Sequence, residues 1–351
     1  MTWRNERLKY YCTIFALEYS PCGRYLVSAD IYGRVSVFKI SRFVDTNPTK
    51  EALNPWFQFS VSDAAIYCLQ STKLFLIAGS DDGRIRGYKW EDLVRKVVQL
   101  SWEINTGLDN KGLDGSVYEV NAIKISPDNE TLYCGGGSKN VLVYDLETRK
   151  PLTPMRGHSD YVHCIELSSV SQDNDSCSAA SALYSGSEDG TVRLWDTRSC
   201  GCEHVFDLNN CSDVKRPNCG QWIVCLSVRG SWMVCGGAPK LSLWHLGSRM
   251  LAKVLDDSAD TEHQSITVHD ETVIIILSTI ICGGSNNLIC HYDFSGAQTA
   301  TIETEIPRIY ATAVNCNNRK YRMLAAAGTS SKIAVFLNFG YQSYSLETFA
   351  V

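Results

Sequence analysis

The chain of 351 residues carries 33 Lys and Arg against 38 Asp and Glu, a net charge of −5. This acidic balance gives no general attraction for polyanions, so any nucleic-acid contact would need a local basic patch. Residues 1–11, with Arg4, Glu6, Arg7 and Lys9 and no apolar core, do not read as a secretory signal, and the longest apolar run, 273–282, is broken by Ser278 and Thr279 and falls far short of the ~20 residues of a spanning helix, so no membrane association and an intracellular location are expected.

Taken in chain order, short β-type segments recur at regular spacing. They are C-T-I-F-A-L from Cys12, I-Y-C-L from Ile66, V-N-A-I-K-I from Val120, V-H-C-I-E-L from Val162, W-I-V-C-L from Trp222, I-T-V-H from Ile266 and Y-A-T-A-V from Tyr310. Apolar alternation bounded by Gly, Ser, Asp and Asn marks half-buried antiparallel strands. Downstream of each lies one aromatic residue behind a turn: Phe38, Tyr88, Tyr144, Trp195, Trp244, Tyr292 and Phe336, about fifty residues apart. Seven repeats therefore fit, at approximately 11–60, 61–103, 117–156, 160–208, 221–255, 265–303 and 309–349, and they fill one domain, 1–351.

The connections are polar. Residues 42–55 form a polar link carrying Pro48, and 91–103 begin E-D-L-V-R-K-V-V, a helical turn leading into an outer strand. Residues 168–181 form a Ser- and Asp-rich insertion that reads as a solvated hairpin loop. Arg84, Arg86 and Lys89 form a modest basic run, expected to be a solvated sheet edge rather than an RNA contact. Residues 339–349 alternate and should supply the outer strand of the last repeat, with the N-terminal residues packed nearby as a cap; the alternative is closure by an N-terminal strand.

Of the 15 cysteines, Cys12, Cys68, Cys134, Cys164, Cys225, Cys235 and Cys282 fall in the expected strands, where Cys acts as a small buried hydrophobe in a reducing compartment. Cys200, Cys202 and His204, followed by Cys211 and Cys219, raise the possibility of zinc. Their spacing is not that of paired knuckles, and residues 203–208 should form an outer strand that turns neighbours to opposite faces, so neither metal nor cofactor is expected.

The fourth repeat is the best formed. Residues 156–162 read R-G-H-S-D-Y-V and residues 183–198 read L-Y-S-G-S-E-D-G-T-V-R-L-W-D-T-R, which together resemble a complete WD-repeat signature. That resemblance implies an all-β fold, a seven-bladed WD40 β-propeller of four-stranded antiparallel blades. It also implies that His158, Ser185, Asp189 and Trp195 form a buried structural network in which indole, hydroxyl, imidazole and carboxylate are linked in series. The same residue types could make a hydrolase triad, but the Ser lies mid-strand beside Trp195 and no G-x-S-x-G elbow presents it. No phosphate-binding loop, dinucleotide fingerprint, H-E-x-x-H or paired-carboxylate constellation appears, so no catalytic residue is assigned and the protein is not expected to be an enzyme.

Ten residues before the other anchors stand Ser28, Ala78, Cys134, Cys282 and Ala326, with Val234 or Cys235 in the shorter fifth repeat. Most repeats are therefore expected to have exchanged the polar network for small apolar packing.

Several blocks resemble the THO complex subunit 6 family: R-G-H-S-D-Y-V-H-C from Arg156, G-S-E-D-G-T-V-R-L-W-D from Gly186, R-P-N-C-G-Q-W-I-V-C-L from Arg216, S-W-M-V-C-G-G-A-P-K-L-S-L-W-H-L from Ser231, and V-F-L-N-F-G-Y-Q-S-Y-S-L from Val335. The resemblance implies a nuclear, non-catalytic scaffold subunit of the assembly that couples transcription and splicing to messenger RNA export. It would associate with the coiled-coil fifth and seventh subunits, help higher-order assembly, and contact RNA only indirectly. A rival reading rests on Trp195, Asp196, Thr197 and Arg198, since W-D-T-R resembles the motif of propellers that act as cullin-4 ubiquitin ligase substrate receptors. Asp196 and Arg198 are accordingly the candidate partner-facing residues.

Overall fold

The computed structural model describes residues 3–44, 48–109, 118–168, 182–216, 219–255, 261–269, 279–315, 322–337 and 339–349. The insertion 169–181 and most of the apolar run 273–282 lie outside the described residues. The protein is a seven-bladed β-propeller whose sheets occupy 14–60, 66–105, 120–145, 162–207, 223–254, 263–303 and 309–347. In every sheet the strands pair with their chain neighbours in order, all of the pairings resolved in register being antiparallel.

One blade departs from four strands. The third has Val120–Ile125, Thr131–Gly136 and Leu142–Asp145, and its outer position is held only by isolated bridges from Val141 to Met155 and from Tyr144 to Pro151. The reason lies in P-L-T-P-M: Pro151 and Pro154 have no N–H to give to a ladder, so pairing is confined to bonds such as Met155 N–H to the Val141 carbonyl at 2.9 Å.

The described residues divide into two compact units, 1–105 with 283–289 and 301–351, and 106–282 with 290–300. In each, the apolar core lies between blades. In the first unit Ile14, Leu17, Leu26 and Phe38 of the first blade pack with Ala313, Ala325, Ile333 and Val335 of the seventh, while Val27, Val35 and Val37 meet Ile66, Leu76 and Tyr88 of the second. In the second unit Tyr133, Val141 and Val143 meet Val162, Leu183 and Trp195, and Val192, Phe206 and Tyr184 meet Ile223, Met233 and Trp244. A blade alone would expose both faces of its sheet, which is why the repeat has to be reiterated. All seven aromatic anchors are buried in the third strand of their blades.

Tyr341–Glu347 pairs with Lys332–Leu337 as the outer strand of the seventh blade. The N-terminus supplies a helix, Trp3–Tyr10, whose Leu8 packs on the core shared by the first and seventh blades and whose Lys9 pairs with Glu347 at 2.8 Å. The C-terminal residues also grip the first blade: the Arg34 guanidinium lies 3.9 Å over the Phe349 ring, and Gln58 Nε2 donates to the Thr348 carbonyl.

Candidate functional site

The four residues singled out in the fourth blade come together. Ser185 lies in Ala182–Ser187, Trp195 in Thr191–Asp196, Asp189 in the turn between them, and His158 in the segment entering the blade. Trp195 Nε1 donates to Ser185 Oγ at 2.8 Å, Ser185 Oγ lies 2.7 Å from His158 Nε2, and His158 Nδ1 lies 2.8 Å from Asp189 Oδ2. The carboxylate can only accept, so Nδ1 carries the proton, and in that tautomer Nε2 accepts from the serine hydroxyl. Burial pushes the Asp189 carboxyl up, but hydrogen bonds from His158 and Thr191 outweigh it and hold the group far below the usual carboxylate range. The Asp189 oxygens also accept from the Ser159 and Thr191 amides, both at 3.0 Å.

Local sequence explains the geometry. Gly190 sits at φ +78°, the left-handed region that favours glycine, and the turn lets Asp189 fold back on its own strand. Gly157 precedes His158 because a Cβ there would come within 2.6 Å of Arg193 Nη1 and 3.0 Å of the Trp195 ring. Ser185 is 0% exposed and its oxygen already receives the indole N–H. The bonds join the segment entering the blade, the turn and the third strand in one chain of buried, paired polar groups.

The expectation that other blades simply substitute apolar packing is corrected in three of them. In the second blade Arg86, opposite Ala78, is buried rather than at a solvated edge, its side chain 8% exposed. It donates from Nη2 to Asp82 Oδ2 at 2.7 Å, from Nε to Glu103 Oε2 at 2.9 Å and from Nη1 to Ser80 Oγ at 3.0 Å. Asp82 occupies the turn position that Asp189 holds in the fourth blade; with no histidine beside it, the guanidinium is its donor, through a rigid fork. Arg84 also reaches Glu103, at 3.4 Å, but is much more exposed. In the first blade Arg34 holds Asp30 by two bonds of 2.6 and 3.0 Å. In the fifth, Cys235 occupies the slot of Ser185, and Trp244 Nε1 donates instead to Ser242 Oγ at 2.9 Å.

The W-D-T-R turn separates its two candidate residues. Asp196 is occupied locally, accepting from Arg198 N–H at 3.0 Å and from Ser199 Oγ at 2.8 Å, an Asx turn. The side chain of Arg198 is 69% exposed.

Cys200, Cys202 and His204 do not converge. The outer strand is Cys202–Asp207, beginning one residue earlier than expected; Cys200 packs against the core around Trp195, Cys202 is exposed, and the His204 ring stands edge-on to Phe206 at 4.6 Å. Among the described residues no three His, Cys, Asp or Glu side chains are grouped so as to hold a metal ion. Cys12 is buried but lies two residues before the first strand, Ile14–Tyr19, not within it as expected, whereas Cys68 and Cys235 lie in strands; burial pushes all three thiols up to about 12.

An exposed apolar group stands out on the second blade. Helix Trp90–Val94 is followed by a link into outer strand Leu100–Asn105, and Val94, Val97, Val98 and Leu100 are all exposed. The turn carrying exposed Leu74 abuts the start of this helix through the Trp90 N–H to Leu74 carbonyl bond of 2.9 Å, and charges of both signs flank the group in sequence, Lys73, Lys89, Glu91, Asp92, Arg95 and Lys96, with Arg95 paired to Glu91 at 2.7 Å. Sequence periodicity does not reveal such a patch, because single exposed valines in a link resemble those of any short strand.

Comparison with known proteins agrees with this architecture. The WD domain, G-beta repeat model matches residues 110–145 and 149–196. The chain is 30% identical over 334 residues to THO complex subunit 6 homolog of Danio rerio, covering 95% of this chain and 97% of that protein. It is 30% identical to THO complex subunit 6 of Homo sapiens, covering 95% and 92%, and 26% identical to THO complex subunit 6 of Drosophila melanogaster, covering 97% and 90%. A propeller with a WD signature, matched from end to end by these relatives, belongs to the THO complex subunit 6 family of WD-repeat proteins.

Proposed function

We propose that the protein is a non-catalytic scaffold subunit of a THO complex, acting in the nucleus to support assembly of the complex and the coupling of transcription and messenger RNA processing to export. The observation that carries this is the extent of the similarity, 95% of this chain against 97% of the zebrafish THO subunit. The closed bonding around Ser185 supports a structural role for the one constellation that resembles a catalytic triad. The partners are the coiled-coil fifth and seventh subunits, and RNA is reached through them. The exposed Val94, Val97, Val98 and Leu100 offer apolar anchors for the apolar face of a partner helix, with a mixed rim in which Arg95 pairs with Glu91 at 2.7 Å and Lys96 lies beside them. Affinity purification of the tagged protein from nuclear extract should recover these THO subunits; recovery of a cullin-4 adaptor without them would overturn the reading.

A second reading rests on the exposure of Arg198 beside the Asp196 turn, which leaves its guanidinium accessible to an adaptor, as in a cullin-4 substrate receptor. Arg198→Ala separates the two. It should leave THO capture unchanged under the first reading and abolish adaptor capture under the second.

A further inference from the structure

In the unit that holds the seventh, first and second blades, the inner strands of all three share one irregularity. Pairing with the second strand steps from Ile309 to Ala311, from Ile14 to Ala16 and from Ile66 to Cys68, each time passing over one residue. Such a bulge re-aims the side chain it carries. In all three blades that side chain is aromatic: Tyr310, Phe15 and Tyr67. The isoleucine before each is 0% exposed, whereas the aromatic is only half-buried.

The three rings form a row across the blades. Phe15 stands in the middle, its centroid 5.2 Å from Tyr67 at 69° and 5.7 Å from Tyr310 at 37°. None of them contributes to the buried cores on either side of the first blade, so their ring surface is not spent on packing the sheets. Aromatic surface of this kind is enriched where proteins bind partners. At the Tyr67 end stands one carboxylate. Asp81 is exposed and accepts from Tyr67 Oη at 3.4 Å, and its N–H bond to the Ala65 carbonyl at 2.9 Å holds its turn beside the inner strand. The neighbouring Asp82 is committed to Arg86, but Asp81 has no ion-pair partner among the described residues. Arg308, two residues before Tyr310, belongs to the opposite end of the row.

We propose that Phe15, Tyr67 and Asp81 bind an arginine side chain of a partner protein, its guanidinium plane lying on the accessible ring surface and its N–H edge meeting the Asp81 carboxylate. Arginine satisfies both parts at once, because its flat, weakly hydrated cation stacks on aromatic faces and its fork matches a carboxylate. A lysine ammonium, a strongly hydrated point charge, matches the carboxylate without the stacking. A nucleic acid could stack its bases on the rings but would bring phosphates towards Asp81 in a molecule whose net charge is already −5. The site is independent of the THO assignment, since it rests on the bulged aromatics and Asp81 alone.

The test is saturation-transfer NMR of the full-length protein near neutral pH with N-acetyl-arginine methylamide. The lysine and citrulline counterparts and an oligouridylate serve as comparisons, citrulline being the uncharged isostere of arginine. Saturable binding is expected for the arginine compound, severalfold weaker binding for lysine, and no saturable binding for citrulline or oligouridylate. Tyr67→Leu keeps an apolar side chain but loses the ring and should weaken arginine binding severalfold. Asp81→Asn changes an exposed side chain and should also weaken it severalfold while leaving the thermal melt unchanged; it decides the matter should the Tyr67 variant not fold. Asp213→Asn, at an exposed carboxylate of the other unit, should leave binding as it is. Absence of saturable binding by the parent protein, equal affinity for the citrulline compound, preference for oligouridylate, or a loss in Asp81→Asn no larger than in Asp213→Asn would each overturn the proposal.

Discussion

Ser185→Ala is the sharpest perturbation of the bracing network. The hydroxyl is the single acceptor for the Trp195 indole N–H, at 2.8 Å, and the donor to His158 Nε2, at 2.7 Å, in a position with no solvent exposure. Removing it leaves two buried groups unpaired. An orphaned polar group costs about 1–3 kcal/mol, so with two of them the substitution should destabilise by about 2–6 kcal/mol. The fifth blade provides the internal comparison: there Ser242 accepts the Trp244 indole at 2.9 Å without a histidine behind it, so Ser242→Ala should cost about 1–3 kcal/mol. Urea unfolding at pH 7, followed by both tryptophan fluorescence and far-ultraviolet dichroism, measures each value where the two transitions coincide. Adding Trp195→Phe, which removes the unpaired N–H, should cost less in the Ser185→Ala background than in the parent, giving a coupling of about 0.5–3 kcal/mol. A cost for Ser185→Ala below about 1 kcal/mol, or additive behaviour of the two substitutions, would refute the bracing role.

In the second blade Arg86→Ala should destabilise by about 2–4 kcal/mol in the same assay, below the upper range for broken buried pairs because Asp82 and Glu103 stay partly solvated; Arg84→Ala should stay within about 0.5 kcal/mol. Equal effects would show that burial of Arg86 contributes nothing. Because the Asp189 carboxyl is held below its unfolded value, the stability it contributes is present above about pH 4 and lost as pH falls below that. The stability gap between the parent and Asp189→Asn should therefore narrow on acidification from pH 6 to pH 2.5, and a gap that stays constant would contradict the linkage. Val97→Asp with Val98→Asp, both exposed, should leave the thermal melt within a few degrees and reduce recovery of the coiled-coil THO subunits from nuclear extract; full recovery would place their docking elsewhere.

The propeller was legible because its evidence is local. Each aromatic anchor lies a few residues behind a turn, and period-two alternation marks the strands before it. The fourth blade's network was legible for the same reason, since its motif specifies Ser, Asp and Trp within one hairpin. Arg86 was not: its burial depends on Glu103, 17 residues away on the outer strand, and from the sequence alone an arginine in an alternating run reads as a solvated edge. The outer edge of the third blade failed as a strand for a reason already present in its sequence, the two prolines at 151 and 154, which alternation of apolar residues does not weigh.

The fifth blade explains why counting back ten residues from each anchor misled. The physical requirement is an acceptor within reach of the buried indole N–H, not a serine at one position. Trp244 meets that requirement with Ser242, two residues upstream on its own strand, so the slot opposite is free to become Cys235, itself buried and protonated. Phe38 and Phe336 carry no N–H, and the seventh blade accordingly has Ala326 facing Ala334 at the corresponding pair, with no polar group to satisfy. An indole anchor therefore requires a nearby acceptor, whereas a phenyl anchor does not forbid one: the first blade, anchored by Phe38, keeps Ser28 opposite Ser36, whose hydroxyl accepts from Gln58 Nε2 at 2.6 Å. A Phe336→Trp substitution in the seventh blade would bury an indole N–H among alanines and should be destabilising, whereas Trp195→Phe loses a bond but leaves the Ser185 hydroxyl still paired with His158.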